Sequence, residues 1–449
     1  MAHLGIGRRA VSTLAFLGLV VFALVSLAAV PAGATTVNDE ATFRAAWTNA
    51  AETQIDLAAN ITLTCGGGGV AVRNSATALN LDGHGHSITQ TCADNGVLRQ
   101  DGTGALALQN VTITGGVDTT DFSVREAGGG GVLAGGDLSL TNATITNNTA
   151  IGWGGGFYVA GNATLTSSTV SNNTSSNGGG GFWFQGALTV TNSTISGNAD
   201  NGTFGGGGIR AGVGSTTATV TNSTISGNSA GLVPPGGIGG GGIAATGPTT
   251  IKNSTITGNT AGAFGGGGIA IGVPGSVTLV YTTVVDNTAP DGANVKSVGG
   301  PLISFGSVVA LPHGSGNCST TATTSNGYNF SDDASCGFTA ATDTQNGGNP
   351  NLGALANNGG PTQTRLPQTG SPLIDAVPLT SCQADGAAGV TTDQRGLMRP
   401  SGNGCDIGSV EVQQMPPTKD DCKNGGWQRF VDAQGQPFRN QGQCVSSVP

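Results

Sequence analysis

The sequence has few charged residues. Asp, Glu, Lys and Arg make up 9% of its 449 residues, and the formal net charge at pH 7 is −9. A protein that binds nucleic acid needs a basic surface to neutralise phosphates, so this composition excludes that class of partner. A disordered chain would carry more charge and fewer hydrophobic residues, which make up 37% here.

Aromatic residues are also scarce, at 5%, whereas glycine contributes 80 residues. Glycine does not recur at every third position, which excludes collagen. The apolar residues show no helical period, and β-branched residues stand at alternate places. The composition therefore indicates a neutral, repetitive β structure.

The first residues are typical of an export signal. Arg8 and Arg9 precede an apolar run over 11–30, and Ala32-Gly33-Ala34 supplies a small-residue cleavage site. We predict a signal peptide over 1–34 and a mature chain, secreted or at the cell surface, without a membrane span. An uncleaved anchor is the alternative, because a run of this length can cross a bilayer. Cleavage would change the formal net charge from −9 to −11.

The sequence has eight cysteines, an even number that favours disulfides in an exported chain. They fall in local pairs, and the pairing we prefer among the possible ones is Cys65–Cys92, Cys318–Cys336, Cys382–Cys405 and Cys422–Cys444. Cys65 and Cys92 could instead bind zinc with His84 and His86, but their spacing matches no usual zinc pattern. We predict neither a metal nor a cofactor.

One phrase of eight residues recurs through the middle of the chain. Its copies are LALQNVTI (106–113), LSLTNATI (138–145), ATLTSSTV (163–170), LTVTNSTI (188–195), ATVTNSTI (218–225), TTIKNSTI (249–256) and VTLVYTTV (277–284). Runs of glycine stand between the copies and end at Gly131, Gly156, Gly181, Gly208, Gly242 and Gly268. A repeat of 25 to 32 residues indicates a solenoid, whose units bury their apolar faces against one another.

The positions of the apolar residues indicate the kind of solenoid. Val220 and Ile225 are an odd number of residues apart, so one strand would place them on opposite faces. If both are buried, the chain turns between them, and Asn222 suits that corner because Asn tolerates left-handed backbone angles. We predict an all-β fold, a right-handed parallel β-helix with three strands in each coil, similar to the pectate lyase solenoid.

Equivalent residues of stacked coils should lie one above the other. We predict a structural ladder of side-chain amides at the corners and a second ladder of threonines. The amide ladder comprises Asn142, Asn192, Asn222 and Asn253. The threonine ladder comprises Thr112, Thr144, Thr169, Thr194, Thr224, Thr255 and Thr283. The insert GLVPPGGI (231–238) should protrude as a loop.

The ends of a solenoid need covering. We predict a capping helix over 38–51 that begins at Asn38 and packs through Phe43, Trp47 and Ala50. The predicted divisions of the chain are a signal peptide (1–34), an N-terminal cap (35–55), β-helix repeats (56–310), a disulfide-pinned C-terminal cap (311–415) and a small Cys-bracketed module (416–449).

The repeats carry little that could catalyse a reaction. Between residues 127 and 290 the ionisable residues are Asp137, Asp200, Arg210, Lys252 and Asp286, and each stands at a register of its own. A polysaccharide hydrolase or lyase needs carboxylates or a base converging on one face. We therefore predict no catalytic residues, and we interpret the GHG sequence at 83–85 as a turn rather than as part of a polygalacturonase site.

Aromatic residues beside two adjacent glycine runs could bind sugars. They are Trp153, Phe157, Tyr158, Phe182, Trp183 and Phe184, and the predicted ligand-binding residues among them are Trp153, Tyr158 and Trp183. Rings on an exposed face would stack on a glycan, whereas rings turned inward would only pack. The sequence leaves both possibilities open.

Two stretches resemble known families of bacterial surface proteins. The glycine runs and N-S-T-I-S-G-N units resemble polymorphic-outer-membrane-protein repeats of secreted β-helix proteins. Residues 349–412 resemble the choice-of-anchor Q region, whose usual letters stand here at Pro372, Asp375, Asp393, Arg395, Gly396, Asp406, Ile407 and Gly408. The resemblance implies export and surface placement, with no established reaction.

Physical reasoning adds a detail to that region. Asp393, Arg395 and Asp406 could form an ion-paired knot pinned by the Cys382–Cys405 disulfide. For the whole chain we predict a monomeric, exported, non-enzymatic scaffold or adhesin whose partners are glycans or cell-envelope components. The alternative is a carbohydrate-active protein, either a polysaccharide lyase or hydrolase or a non-catalytic glycan binder.

Overall fold

The computed structural model describes residues 33–120, 128–212, 217–231, 238–384, 387 and 389–449. The predicted signal peptide over 1–34 and the predicted loop over 231–238 lie almost wholly outside the described residues. Residues 34–449 form one compact unit.

Short parallel strands stack from coil to coil into two long sheets that follow each other along the chain. Sheet 1 comprises Thr35–Val37, Gln54–Leu57, Leu79–Asp82, Leu106–Gln109, Leu138–Thr141, Ala163–Thr166, Leu188–Thr191, Ala218–Thr221, Pro248–Lys252, Ser276–Val280, Leu302–Phe305 and Thr323–Ser325. Sheet 2 comprises Ile61–Leu63, Ser87–Gln90, Thr112–Thr114, Thr144–Thr146, Thr169–Ser171, Thr194–Ser196, Thr224–Ser226, Thr255–Thr257, Thr283–Val285, Val308–Ala310 and Phe330–Ser331.

Two further sheets complete each coil. Sheet 3 is made of two-residue strands, which are Val117–Asp118, Thr149–Ala150, Thr174–Ser175, Ala199–Asp200, Ser229–Ala230, Thr260–Ala261, Thr288–Ala289 and His313–Gly314. Sheet 4 comprises Ala71–Arg73, Leu98–Gln100, Val132–Ala134, Phe157–Val159, Phe182–Phe184, Ile209–Ala211, Ile243–Ala245, Ile269–Ile271, Val295–Ser297 and Cys318–Ser319. A small parallel pair, Gly239–Gly240 with Gly265–Gly266, lies beside them.

The strand register confirms the parallel β-helix. Leu140 pairs with Leu165, which pairs with Val190, and all three side chains are buried inside the coil. The three predicted strands of each coil are present, and the short strand of sheet 3 is an addition that the sequence pattern did not reveal. Because these two-residue strands hold so few side chains, they leave no alternation to detect.

The corners between sheets 1 and 2 have the predicted left-handed backbone. The angle φ is +49° at Asn142, +51° at Asn192, +50° at Asn222 and +43° at Asn253. A second left-handed corner follows sheet 2, and there Gly197 has φ of +64°. The repeated letters N and G therefore mark the two corners in many coils, while Ser167 and Tyr281 occupy the first corner, and Asn147 and Asn172 the second, in others.

The amide ladder does not lie at these corners, so that prediction needs correction. Asn142 donates from Nδ2 to Oδ1 of Asn110 (2.8 Å), but the side-chain oxygens of Asn222 and Asn253 have no hydrogen-bond partner among the described residues. Asn253 instead donates from Nδ2 to the carbonyl of Thr392 (2.7 Å). The corners select these asparagines for their backbone angles, and beyond Asn142 and Asn110 their amides form no continuous row among the described residues.

The continuous amide ladder runs inside the solenoid. Each member donates from Nδ2 to Oδ1 of the next at 2.6–3.1 Å, and all are fully buried. Its members are Asn148, Asn173, Asn198, Asn228, Asn259, Asn287, Asn294 and Asn317. In the phrase TNSTISGN the ladder residue is the last letter, at Asn198 and Asn228.

Glycine is required where the chain runs past this ladder. A Cβ atom on Gly181 would lie 2.4 Å from the carbonyl oxygen of Gly208 and 3.2 Å from the amide of Asn198. No side chain fits so close to a backbone carbonyl of the neighbouring coil. The backbone of the glycine runs therefore packs directly against the ladder amides.

The N-terminal end of the solenoid is covered by helix α1, Glu40–Thr48. The predicted cap residue was Asn38, but Asp39 caps the helix, because its carboxylate accepts hydrogen bonds from the backbone N–H (2.8 Å) and hydroxyl of Thr42. The helix ends before Ala50, so its buried face is Phe43, Ala46 and Trp47. Nε1 of Trp47 donates to the carbonyl of Ala71 in sheet 4 (3.0 Å).

The C-terminal region is joined by disulfides and small antiparallel pairs. The strand pairs are Leu352–Ala356 with Thr364–Pro367, and Val377–Pro378 with Gly404–Cys405. A 3-10 helix, Gly426–Arg429, and helix α2, Gln441–Ser447, follow. The four disulfides are those preferred from the sequence, Cys65–Cys92, Cys318–Cys336, Cys382–Cys405 and Cys422–Cys444.

The internal ladder should carry more stability than the corner amides. We expect Asn228→Ala to lower the free energy of unfolding by about 1–3 kcal/mol, because it leaves buried partners of four hydrogen bonds unpaired. Asn222→Gly removes a corner amide but keeps the left-handed backbone, so its effect should stay within about 0.5 kcal/mol. Urea denaturation followed by circular dichroism measures both. A larger loss of unfolding free energy for Asn222→Gly than for Asn228→Ala would mean that the stabilising amide ladder lies at the corners.

Candidate functional site

The outward side chains of sheet 1 form a neutral, hydroxyl-rich surface. Thr164, Thr189 and Thr219 stand in register on successive strands, and all three are exposed. Alternation places Leu165, Val190 and Val220 beneath them in the core. The same pattern that buries the aliphatic residues therefore produces a row of hydroxyls outside.

A groove of about 600 Å³ crosses the first coils of this surface. Asn80, Ala107, Ser139 and Thr164 lie in register along it. With about 4.8 Å between strands, these four positions span roughly 14 Å along the solenoid. The groove is lined by Thr53, Thr77, Ala78, Leu79, Asn80, Ala105, Leu106, Ala107, Asp137, Leu138, Ser139, Asn162 and Thr164.

The groove exists because small residues stand at its floor and rim. Ala107 presents one methyl group where the adjacent strands present Asn80 and Ser139. At the rim, the carboxylate of Asp137 accepts a hydrogen bond from the backbone N–H of Asn162 (2.8 Å), and the amide oxygen of Asn162 accepts one from that of Ala187 (2.9 Å). These bonds hold the turns that enter sheet 1 in the same position in successive coils.

An outward chain of amides continues from one end of the groove. Asn80 donates from Nδ2 to Gln54 (2.6 Å) and accepts at Oδ1 from Gln109 (2.6 Å), while Gln54 donates to Asp56 (2.6 Å). The polar groups at this end of the groove are therefore amides fixed by their neighbours. Such groups offer both donors and acceptors without a net charge on the amides.

The GHG sequence forms a corner, as interpreted from the sequence. His84 has φ of +48°, and its side chain is 54% exposed, 3.8 Å from Asp56 and from Asp82. Partial burial disfavours the charge of Asp82, but hydrogen bonds from the backbone of His84 and the amide of Asn110, with the charge of His84, hold the pKa of Asp82 below its usual value. The arrangement is a stabilised turn.

The ionisable residues of the repeats do not meet in the groove. Of its lining residues only Asp137 is ionisable. Asp286 pairs with Arg365, and Asp200 is buried, accepting from the hydroxyl of Ser175 (3.0 Å). Burial raises the pKa of Asp200 and lowers that of Arg210 to about 10. Hydrolysis or elimination on a sugar needs a second acid or base beside the first, and the described groove holds one carboxylate.

Two of the predicted sugar-binding aromatics, Tyr158 and Trp183, are packed, and the third, Trp153, is half-buried. Tyr158 and Trp183 point outward from sheet 4 but are only 4% and 5% exposed. Trp153 stacks on Trp183 with ring centroids 4.5 Å apart, and the guanidinium of Arg210 lies 5.4 Å from the Trp183 ring. Because the loop between sheets 3 and 4 carries Trp153 over this strand, the ring of Trp183 is covered, whereas Trp153 itself stays half-buried.

The remaining aromatics of the group belong to the interior. Phe157 and Phe182 stack with ring centroids 4.4 Å apart, and Phe182 and Phe184 lie 6.5 Å apart. All three are buried in the main core. The aromatic residues therefore stabilise two adjacent coils.

The C-terminal region contains two buried ionic clusters where one was predicted. Arg395 pairs with Asp393 through Nη2 (2.8 Å) and Nε (2.9 Å), in agreement with the predicted knot. Asp406 lies instead in a second cluster with Arg399 and Glu411, in which Arg399 Nε is 3.5 Å from Glu411. Arg399 also packs on the ring of Tyr281 at 4.1 Å. No sequence pattern pointed to Arg399 or Glu411, because their partners are set by the tertiary fold.

Comparison with known proteins relates part of the chain to an adhesive domain. Residues 34–198 match a family described as "Putative pectate lyase-like adhesive domain". Comparison with curated proteins and with solved structures found no match. The matched residues include the whole groove of sheet 1. The chain is thus similar to an adhesin-like β-helix in the part that carries the candidate site.

A helix that could cross a membrane is not found in the described part of the chain. The same residues contain no group of three or more His, Cys, Asp or Glu side chains placed to hold a metal. Cys65 and Cys92 are joined to each other, which removes them from the zinc site considered with His84 and His86.

The second ionic cluster should make stability depend on pH. One guanidinium faces two carboxyls, and burial raises the pKa of Glu411 to about 8 and that of Asp406 to about 6. The folded pair keeps a proton that the unfolded chain has lost, so the melting temperature should fall as the pH rises from about 5 to about 8. Glu411→Gln should lower the melting temperature and make it vary less with pH, as measured by scanning calorimetry. An equally steep profile in the variant would assign the dependence to other groups.

Proposed function

We propose that the protein is an exported, non-enzymatic adhesin that holds a neutral surface polymer in the groove of sheet 1. The observation that carries this proposal is the groove itself, which is lined by hydroxyls, amides and methyl groups with a single carboxylate. An elongated groove across stacked coils suits an extended chain rather than a compact ligand. The similarity of residues 34–198 to an adhesive domain supports the same function.

The proposal also covers the family, the export, the partners and the oligomeric state of the protein. The repeated units and residues 349–412 support placement among surface proteins with polymorphic-outer-membrane-protein repeats and a choice-of-anchor Q region. The apolar run after Arg8 and Arg9 supports export. The neutral groove favours glycans or other uncharged cell-envelope polymers as partners, and a monomer suffices because the described groove lies within one chain.

A blocked groove should abolish adhesion without changing the fold. Ala107→Arg fills the groove with a long charged side chain, whereas Thr219→Arg places the same side chain on the same sheet outside it. The chain from Thr35 onward would be tested for retention on insoluble bacterial cell walls, cellulose and chitin. We expect Ala107→Arg to weaken retention about tenfold or more, equivalent to about 1.4 kcal/mol, and Thr219→Arg to leave it nearly unchanged.

The same samples separate adhesion from catalysis. Released reducing ends and unsaturated sugars would be measured after prolonged incubation, and we expect neither above the protein-free control. Digestion of any retained polymer would replace the adhesin by a carbohydrate-active enzyme. Equal weakening by both arginine variants would mean that the groove is not the binding site.

A further inference from the structure

Part of sheet 2 is covered by the chain's own C-terminal region. Gln394 donates from Nε2 to the hydroxyl of Thr224 (2.9 Å) and accepts at Oε1 from that of Thr255 (2.7 Å). Ser409 donates from its backbone N–H to the hydroxyl of Thr283 (3.0 Å). These three threonines belong to the predicted threonine ladder, and all are buried beneath the C-terminal region.

The threonine row continues beyond this cover. Thr112, Thr144, Thr169 and Thr194 are in register with the covered Thr224 on successive strands of sheet 2. All four are only half-buried, in contrast to the covered members. At about 4.8 Å per coil the open part of the row extends roughly 14 Å.

The covered part shows which chemical groups this row binds. The carboxamide of Gln394 is fully buried, and its further hydrogen-bond partners are neutral groups. Its Nε2 also donates to the hydroxyl of Thr362 (2.9 Å) and to the carbonyl of Ser223 (3.2 Å). The hydroxyl of Ser409 lies 2.9 Å from that of Thr255 and 3.2 Å from that of Thr283. Recognition of this row therefore uses neutral hydroxyl, amide and backbone groups, including the Gln363 carbonyl that accepts from the hydroxyl of Thr224. On the neighbouring outward row of sheet 2, Arg365 donates to the hydroxyl of Thr257.

The covering segment does not add a strand to the solenoid. In the described residues, sheet 2 contains only strands of the coils, and Gln394 and Ser409 reach the row through their side chains and single backbone groups. A ligand for the open part thus needs no peptide backbone. It needs hydroxyl and amide groups along an extended chain.

The open part presents uncharged side chains along its length, and His84 borders its first coil, where it lines a pocket with Thr112 and Thr144. Its outward positions on sheet 2 are Thr112, Thr114, Thr144, Thr146, Thr169, Ser171, Thr194 and Ser196, flanked at the corners by Asn110, Asn142, Ser167 and Asn192. A charged polymer would be desolvated here without a counter-charge, whereas a neutral one would exchange hydrogen bonds with water for those with the row.

We propose that the open threonine row of sheet 2, Thr112 to Thr194, is a second binding surface for a neutral glycan that carries hydroxyl and acetamido groups. Its sugar hydroxyls take the place of the Ser409 hydroxyl, and its acetamido groups take the place of the Gln394 carboxamide. This inference rests on the proposed adhesive function but concerns a different sheet from the groove. Two surfaces on one solenoid would give an adhesin two points of attachment.

The test uses substitutions that keep shape and remove hydroxyls. The triple variant Thr144→Val, Thr169→Val, Thr194→Val alters sheet 2, and the matched control Thr189→Val, Thr219→Val, Thr250→Val alters outward threonines of sheet 1 beyond the groove. Valine is favoured in strands, so both variants should fold, which urea denaturation would verify. The probe is the hexamer of N-acetylglucosamine, with the glucose hexamer for comparison, both measured by titration calorimetry with the chain from Thr35 onward.

We expect the acetamido-bearing hexamer to bind more tightly than the glucose hexamer, and the sheet 2 variant to weaken its binding about tenfold while the control leaves it unchanged. Equal affinity for the two hexamers, or equal loss in both variants, would overturn the proposal. So would tight binding of a peptide with the sequence of residues 390–396 in the absence of hexamer binding, since the row would then select polypeptide.

The two proposals can fail separately. Ala107→Arg should not change hexamer binding to sheet 2, and the sheet 2 variant should not abolish retention on insoluble polymer. Retention without hexamer binding would refute the second surface alone. If the unmodified protein shows neither retention on insoluble polymer nor hexamer binding, the adhesive function is refuted as well.

Discussion

The structure depends on the row of buried asparagines inside the solenoid. Each amide donates to the next and receives from the previous one, while the backbone N–H of Asn173 also donates to Oδ1 of Asn198 (3.0 Å). A buried amide without these partners would cost several kcal/mol, so the coils are stable only when they stack in this register. The register then fixes every other row. The aliphatic residues meet in the core, the glycine runs close over the amides, and the threonines line up outside.

This division of polar groups explains how a protein with little charge can have a regular binding surface. The solenoid uses amides and serines for its internal bonds, for example the backbone N–H of Ser168 with the hydroxyl of Ser193 (3.1 Å). The outward threonines of sheets 1 and 2 are thus not needed for cohesion within the coils and can serve binding. The similarity of residues 34–198 to an adhesive domain agrees with such a surface.

The fold could be predicted because each repeat forms mostly local structure and stacks on an equivalent neighbour. The corners were predictable from Asn222 and its equivalents, since few residues accept positive φ. The ladder was assigned to the wrong asparagine, because asparagine recurs in most units both at the position of Asn192 and at that of Asn198, and the sequence does not show which of the two turns inward. Gln394 was missed for a different reason. Its partner Thr224 is 170 residues away, and no local pattern connects the two. The packing of Trp183 also depends on a loop from another coil.

The C-terminal region concentrates the charge that the repeats lack. Arg395 and Arg399 with their acidic partners form a rigid base, and Gln394 and Ser409 project from the same segments onto sheet 2. Because Gln394 adjoins the Asp393–Arg395 pair in the chain, the ionic cluster positions the amide that recognises the threonines. The buried charges thereby set where the covered part of the row begins. They leave Thr112 to Thr194 as the uncovered length of the row.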